Sequence, residues 1–125
     1  MSLVVAVDDL FFSARIREAA RRLGLEAEVV STAQLMPTLA QRLAAGGAEA
    51  VILDLNSDQA VDLIRTLKAD PSTRPVPVVG FVSHVAADKI AAARSAGCDR
   101  ILARSAFTQQ LPQLLQGLAA ADRRS

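Results

Sequence analysis

The chain has no tryptophan and no tyrosine, and four phenylalanines make up its whole complement of Phe, Trp and Tyr. Without such stacking platforms, single-stranded nucleic acid is a poor partner. Charge of one sign is also missing. Fourteen Lys and Arg face 13 Asp and Glu, so no global field draws the chain to nucleic acid or to an anionic membrane. A single cysteine, Cys98, excludes an internal disulfide, and with one histidine, His84, no clustered Cys/His metal site can form. No apolar run approaches the roughly 20 residues needed to cross a bilayer, and no basic stretch precedes a signal-like core. The expectation is a cytoplasmic protein with no direct nucleic-acid or membrane partner.

What is present is a hydrophobic content of 51 % in 125 residues, enough for one domain with a real core. Short apolar runs alternate with amphipathic segments five times. The expected strands are Leu3 to Val7, Glu26 to Val30, Ala50 to Leu53, Val76 to Val82 and Asp99 to Ala103. The expected helices are Phe12 to Leu23, closed by Gly24, and Pro37 to about Ala45, closed by Gly46-Gly47. A third runs from about Asp58 to the Asp70-Pro71 stop, a fourth from Ala86 to Ala96 with Gly97 as its cap. The last starts after Thr108 as N-cap and runs to about Ala121, which puts Pro112 in its first turn. Gly80, inside the fourth strand, leaves room for a close approach. Cys98 reads as a small buried filler ahead of the fifth strand.

Alternation of this kind, with helices on both faces of a parallel sheet, gives an α/β doubly wound fold. The flavodoxin-like strand order 2-1-3-4-5 with five helices is the expectation, over a single domain spanning residues 1–125 with no separate output domain. In that order strands one and three are neighbours, and Asp8, Asp9 and Asp54 sit where their apolar runs end. Such sheets place ligands outside the carboxyl ends of their strands, at the switch point. Asp8 or Asp9 alone could serve as the N-cap of the first helix. All three together indicate a shared acidic site, which a cation or a basic side chain must join.

The succession Val-Val-Ala-Val-Asp8-Asp9, Val-Ile-Leu-Asp54-Leu, Leu-Lys-Ala-Asp-Pro, Pro77-Val-Val-Gly-Phe-Val-Ser-His and Ala96-Gly97 resembles the receiver domain of response regulators. The likeness covers almost the whole chain. It implies a CheY-like module of two-component phosphorelay signalling in which Asp54 is the phosphoacceptor. It further implies that magnesium is held by Asp8, Asp9, Asp54 and the backbone carbonyl of Asn56. The implied chemistry is attack of a carboxylate on a phosphoryl group, with cations and hydroxyls neutralising charge on the transferred oxygens. The implied partners are a histidine kinase or a downstream signalling protein. A docking or homodimer face built from the fourth helix, fifth strand and fifth helix is implied as well.

Several switch positions depart from that pattern. Val82 stands where the family has Ser or Thr, with Ser83 one place later, and alternation along a strand sends neighbouring side chains to opposite sides. Arg104 followed by Ser105 replaces Lys-Pro, and its planar fork suits one or two carboxylates, so it is expected as a standing counterion of Asp54. Ile101 replaces the aromatic that couples to the hydroxyl switch. The loop Asn56-Ser57-Asp58-Gln59-Ala60 is short and lacks the usual signature.

Two readings follow from the resemblance and its departures. One is a degenerate receiver that acts through protein–protein interaction. The other is a conventional single-domain regulator whose only catalysis is its own phosphorylation and dephosphorylation at Asp54. Asp-nucleophile phosphatases, cobalamin modules and flavin binders share the fold, and each lacks a needed signature here. His84 reads as an exposed loop residue.

Overall fold

The computed structural model describes residues 2–7, 9–45, 50–82 and 87–124. Asp8, Gly46, Gly47, Ser83 and His84, singled out above, lie outside the described residues. The chain order is β1 (Ser2–Ala6), α1 (Leu10–Arg22), β2 (Glu26–Val30), a 3-10 turn (Thr32–Gln34), α2 (Leu35–Ala44), β3 (Ala50–Asp54), α3 (Ala60–Ala69), β4 (Val78–Val82), α4 (Ala87–Ala96), β5 (Arg100–Ala103) and α5 (Arg104–Arg124).

The strands pair in parallel in the order β2-β1-β3-β4-β5, as the alternation predicts. Period-two alternation divides the core into two layers. Leu3, Val5, Ile52, Val79 and Phe81 face α1 and α5, where Ile16, Ala20, Phe107, Leu111 and Leu115 meet them. Val4, Val51, Leu53, Val78 and Val82 face the other way, onto Leu35, Leu39, Ile64, Leu67 and Ala93. Each fully buried Val, Leu, Ile or Phe is worth roughly 1.5–3 kcal/mol, whereas a surface ion pair contributes at most about 1 kcal/mol. The apolar layers therefore decide the fold.

Element ends differ from expectation by one or two residues in most places. Proline accounts for the larger differences. Pro37 is the third residue of α2 rather than the first, still within the turn where a missing N–H costs nothing. The correction at α5 is greater. The helix starts at Arg104, so Pro112 lies in its interior, and Thr108 is no N-cap: its Oγ1 donates to the carbonyl of Arg104 one turn back. Phe107, Leu111 and Leu115 bury one stripe against the sheet, and that burial outweighs the helical hydrogen bond that Pro112 forfeits.

Gly80 does what its position suggests. A Cβ there would lie 2.6 Å from Cδ1 of Leu55, which folds across the strand just after the acidic end of β3. Cys98 is buried immediately before β5, and its Sγ donates to the carbonyls of Val78 and Arg100. Burial pushes the Cys98 thiol above its ordinary value.

Candidate functional site: a polar cluster at the strand ends

Asp54 is the last residue of β3 and pairs in register with Phe81 of β4. Leu55 turns into the core over Gly80, and its N–H donates to the carbonyl of Phe81 at 2.9 Å. With Leu55 committed to that face, the carboxylate of Asp54 belongs to the opposite one. Its Oδ1 accepts from the backbone N–H and from Nδ2 of Asn56, both at 2.9 Å. The chain after β3 thus closes on Asp54 through its own neighbour two residues on, an Asx-type turn.

Asp9 precedes α1 and is its N-cap, with Oδ1 accepting from the N–H of Phe12 at 3.0 Å. Its other oxygen accepts from Nη2 of Arg104, the first residue of α5. That ion pair, followed by the Phe12 N–H, holds the Asp9 carboxyl below its ordinary value of 3.8. The guanidinium also lies over the ring of Phe12, 4.5 Å from its centroid. Beneath it, Phe12, Phe81 and Phe107 form a tilted aromatic trio with centroids 4.5 to 5.4 Å apart.

The expectation that Arg104 neutralises Asp54 is therefore corrected: its carboxylate partner is Asp9. The reason is geometric. Arg104 opens a helix packed beside α1, and Phe12 offers its guanidinium a flat apolar support one helical turn from the Asp9 carboxylate.

A second cation enters from α4. Nζ of Lys89 donates to the backbone carbonyl of Asn56 at 3.1 Å. No motif pointed to Lys89. Its one sequence signal is its place in the first turn of the helix after β4, from which a long side chain reaches the end of the neighbouring strand β3.

Val82 and Ile101 share a sheet face and pack with the cluster under α4. Val82 is 2 % exposed, so that position is part of the core. The sequence therefore places a methyl-bearing side chain where the resemblance implies a hydroxyl, and the structure buries it.

Of the implied magnesium ligands, Asp9 and the Asn56 carbonyl are already engaged by donors of the chain itself. Asp9 is shared between the Phe12 N–H and Arg104, and the Asn56 carbonyl accepts from Lys89. Among the described residues no group of three or more His, Cys, Asp or Glu is placed to hold a metal ion. No helix among them is long and apolar enough to cross a membrane.

No protein-family model and no curated protein matches the sequence. Solved structures do match. The signal receiver domain of a signal transduction histidine kinase from Syntrophus aciditrophicus superposes with a TM-score of 0.81 at 16 % identity, over 99 % of this chain and 93 % of that one. The phosphorylated cyanobacterial phytochrome response regulator RcpA gives 0.78 at 22 % identity, over 94 % and 89 %. The Mn(2+)-bound form of response regulator Rcp1 gives 0.74 at 17 % identity, over 94 % and 90 %. The superpositions cover nearly the whole of both chains, and with the strand order β2-β1-β3-β4-β5 they show that the fold of this chain is that of response-regulator receiver domains.

Proposed function

We propose that this chain is a receiver-like module of two-component signalling that works by binding protein partners, its phosphoryl pocket having become degenerate. The observation that carries this reading is the pair of internal cations. Arg104 occupies Asp9 and Lys89 occupies the carbonyl of Asn56, so two of the groups implied as metal ligands are engaged by the chain's own donors. The burial of Val82 supports the same reading, because a Val side chain offers no hydroxyl to a phosphoryl oxygen.

A phosphoacceptor must meet a build-up of negative charge as the phosphoryl group transfers. Here the Arg104 guanidinium is committed to Asp9, the Lys89 ammonium to a carbonyl, and the Asp54 oxygen Oδ1 to two N–H donors of Asn56. Attack through Oδ1 of Asp54 would have to loosen that turn, and binding of magnesium at Asp9 and the Asn56 carbonyl would have to displace both cations. What remains available is the surface, and signal transfer by contact with a histidine kinase or a downstream protein needs no more than that.

The second reading, a conventional regulator phosphorylated on Asp54, is favoured by one observation: the Asp54 carboxylate stands half-buried at the end of β3, at the switch point of the sheet. The two are separated by incubating the protein with magnesium and a small phosphodonor and measuring its intact mass. The proposed role predicts no stoichiometric phosphoryl adduct. A stable adduct that disappears in Asp54→Ala would overturn it and establish the second reading.

A further inference from the structure

The helix α4 is held to the sheet by little apolar surface. Ala93 is its one fully buried residue, with Ile90 and Ala96 partly covered, whereas α3, of equal length, buries Ala60, Ile64 and Leu67. Hydrophobic stabilisation follows the apolar area removed from water, so alanines hold α4 weakly. An element held in this way opens locally at low cost. Its C-terminal end is fixed, because the N–H groups of Gly97 and Cys98 donate to the carbonyls of Arg94 and Ala93, and Cys98 is buried ahead of β5. The first turn depends on a different contact. Among the described residues, Lys89 is the one α4 side chain that hydrogen-bonds to another element, through the 3.1 Å contact from its Nζ to the carbonyl of Asn56.

Asn56 is where that contact meets Asp54. Its backbone N–H and its Nδ2 both donate to Oδ1 of Asp54, and its carbonyl accepts from Lys89. One residue therefore joins a carboxylate at the end of β3 to the first turn of a helix 33 residues further on. The bond from an ammonium to a carbonyl is charge-assisted, and such bonds are roughly twice as strong as neutral ones. The side chains of Val82 and Ile101, which line the sheet under α4, carry no donor or acceptor and so offer no parallel polar route.

We infer that Lys89 is a strap through which α4 and the turn after Asp54 open and close together. With α4 docked, the strap holds Asn56 in place and Asn56 keeps Oδ1 of Asp54 engaged. When the first turn of α4 swings away about its fixed C-terminal end, the Asn56 carbonyl loses its donor and the turn over Asp54 loosens. Linkage makes the coupling reciprocal, so whatever frees Asp54 from Asn56 also loosens α4. Lys89 is thus a positioning residue for Asp54, and α4 is the lever that moves it.

This inference rests on the proposed role as an interaction module and gives it a way to turn contact at a surface helix into a change at Asp54. Its test reads amide hydrogen exchange and not phosphoryl transfer, so the strap can fail while the phosphoryl experiment succeeds, and the reverse holds too. Exchange is followed by NMR on the full chain in wild type, Lys89→Met and Asp54→Ala. Rates are taken relative to the Leu55 N–H, which donates across the sheet to Phe81, so that a general loss of stability cancels. Lys89→Met keeps the stem and removes the ammonium. It should speed exchange in the first two turns of α4 and also at the Asn56 N–H, by about fivefold or more. Asp54→Ala removes the acceptor of both Asn56 donors and should speed exchange in α4 by a similar factor. Because it probes the strap from the other end, it decides the matter even where Lys89→Met folds poorly. Fast exchange confined to α4 in Lys89→Met, with the Asn56 N–H unchanged, would make Lys89 a tether of the helix alone and overturn the proposal. So would an Asp54→Ala variant whose α4 exchanges at the wild-type rate.

Discussion

Arg104 and Asp9, 95 residues apart in the chain, join the N-termini of α5 and α1 through one ion pair. A cation in the first turn of a helix opposes the helix dipole, and a carboxylate beside it offsets that cost. Asp9 does this while also capping α1, so a single side chain serves both helices.

The two duties of Asp9 are separable. Asp9→Asn keeps an oxygen for the Phe12 N–H and loses the charge facing Arg104, whereas Asp9→Ala loses both. We expect Asp9→Ala to cost about 1 kcal/mol more than Asp9→Asn in urea unfolding, the usual worth of an N-cap. Equal costs would mean that the cap contributes nothing.

The same carboxyl gives an acid signature. Its folded value lies below its ordinary 3.8, with Arg104 the largest cause. The stability it contributes is therefore present above about pH 4 and is lost as pH falls through the folded value. In a chelating buffer, wild type should lose more stability than Arg104→Ala between about pH 4 and pH 2. Glu18 and Asp70 are also lowered, and they titrate alike in both proteins, so the difference reports Asp9. Parallel acid profiles would refute the assignment.

Gly80 makes a packing prediction. The added methyl of Gly80→Ala would meet Cγ and both Cδ atoms of Leu55 at 2.6 to 2.8 Å, and Leu55 is only 2 % exposed. Overpacking of this sort costs about 1–3 kcal/mol. Leu55→Ala removes the clashing atoms, so the double variant should be more stable than the sum of the two single losses. Simple additivity in a double-mutant cycle would show that the two side chains do not compete.

The sheet was legible because its signal is repeated: β1, β3 and β4 are each apolar runs, and period-two alternation sorts their residues onto two faces. The placement of Asp54 at a strand end came with it. The start of α5 was not legible, because Pro112 and Thr108 carry strong local preferences for a first turn and an N-cap, and the burial of Phe107 four residues before Leu111 overrode both. Arg104 stood out for its charge, but its partner depended on Phe12, and a ring beneath a guanidinium leaves no mark on sequence spacing. Lys89 was missed for a related reason, since its partner is a backbone carbonyl 33 residues away.

Removing the two internal cations should expose whatever metal affinity the pocket retains. With Arg104→Ala and Lys89→Ala combined, Asp9 loses its ion pair and the Asn56 carbonyl loses its ammonium donor, while the Asp54 carboxylate stays at the end of β3. Oxygen donors of this kind suit magnesium, which takes one or two carboxylates and completes its shell with water. A ligand at one hundred times its dissociation constant stabilises the folded state by about 2.7 kcal/mol, which a thermal melt resolves easily. The expected outcome is a melting temperature that rises with magnesium in the double variant and stays flat in wild type, with the single variants between. A rise of equal size in wild type would show that the native cations yield to the metal. That result would move the balance toward phosphorylation at Asp54.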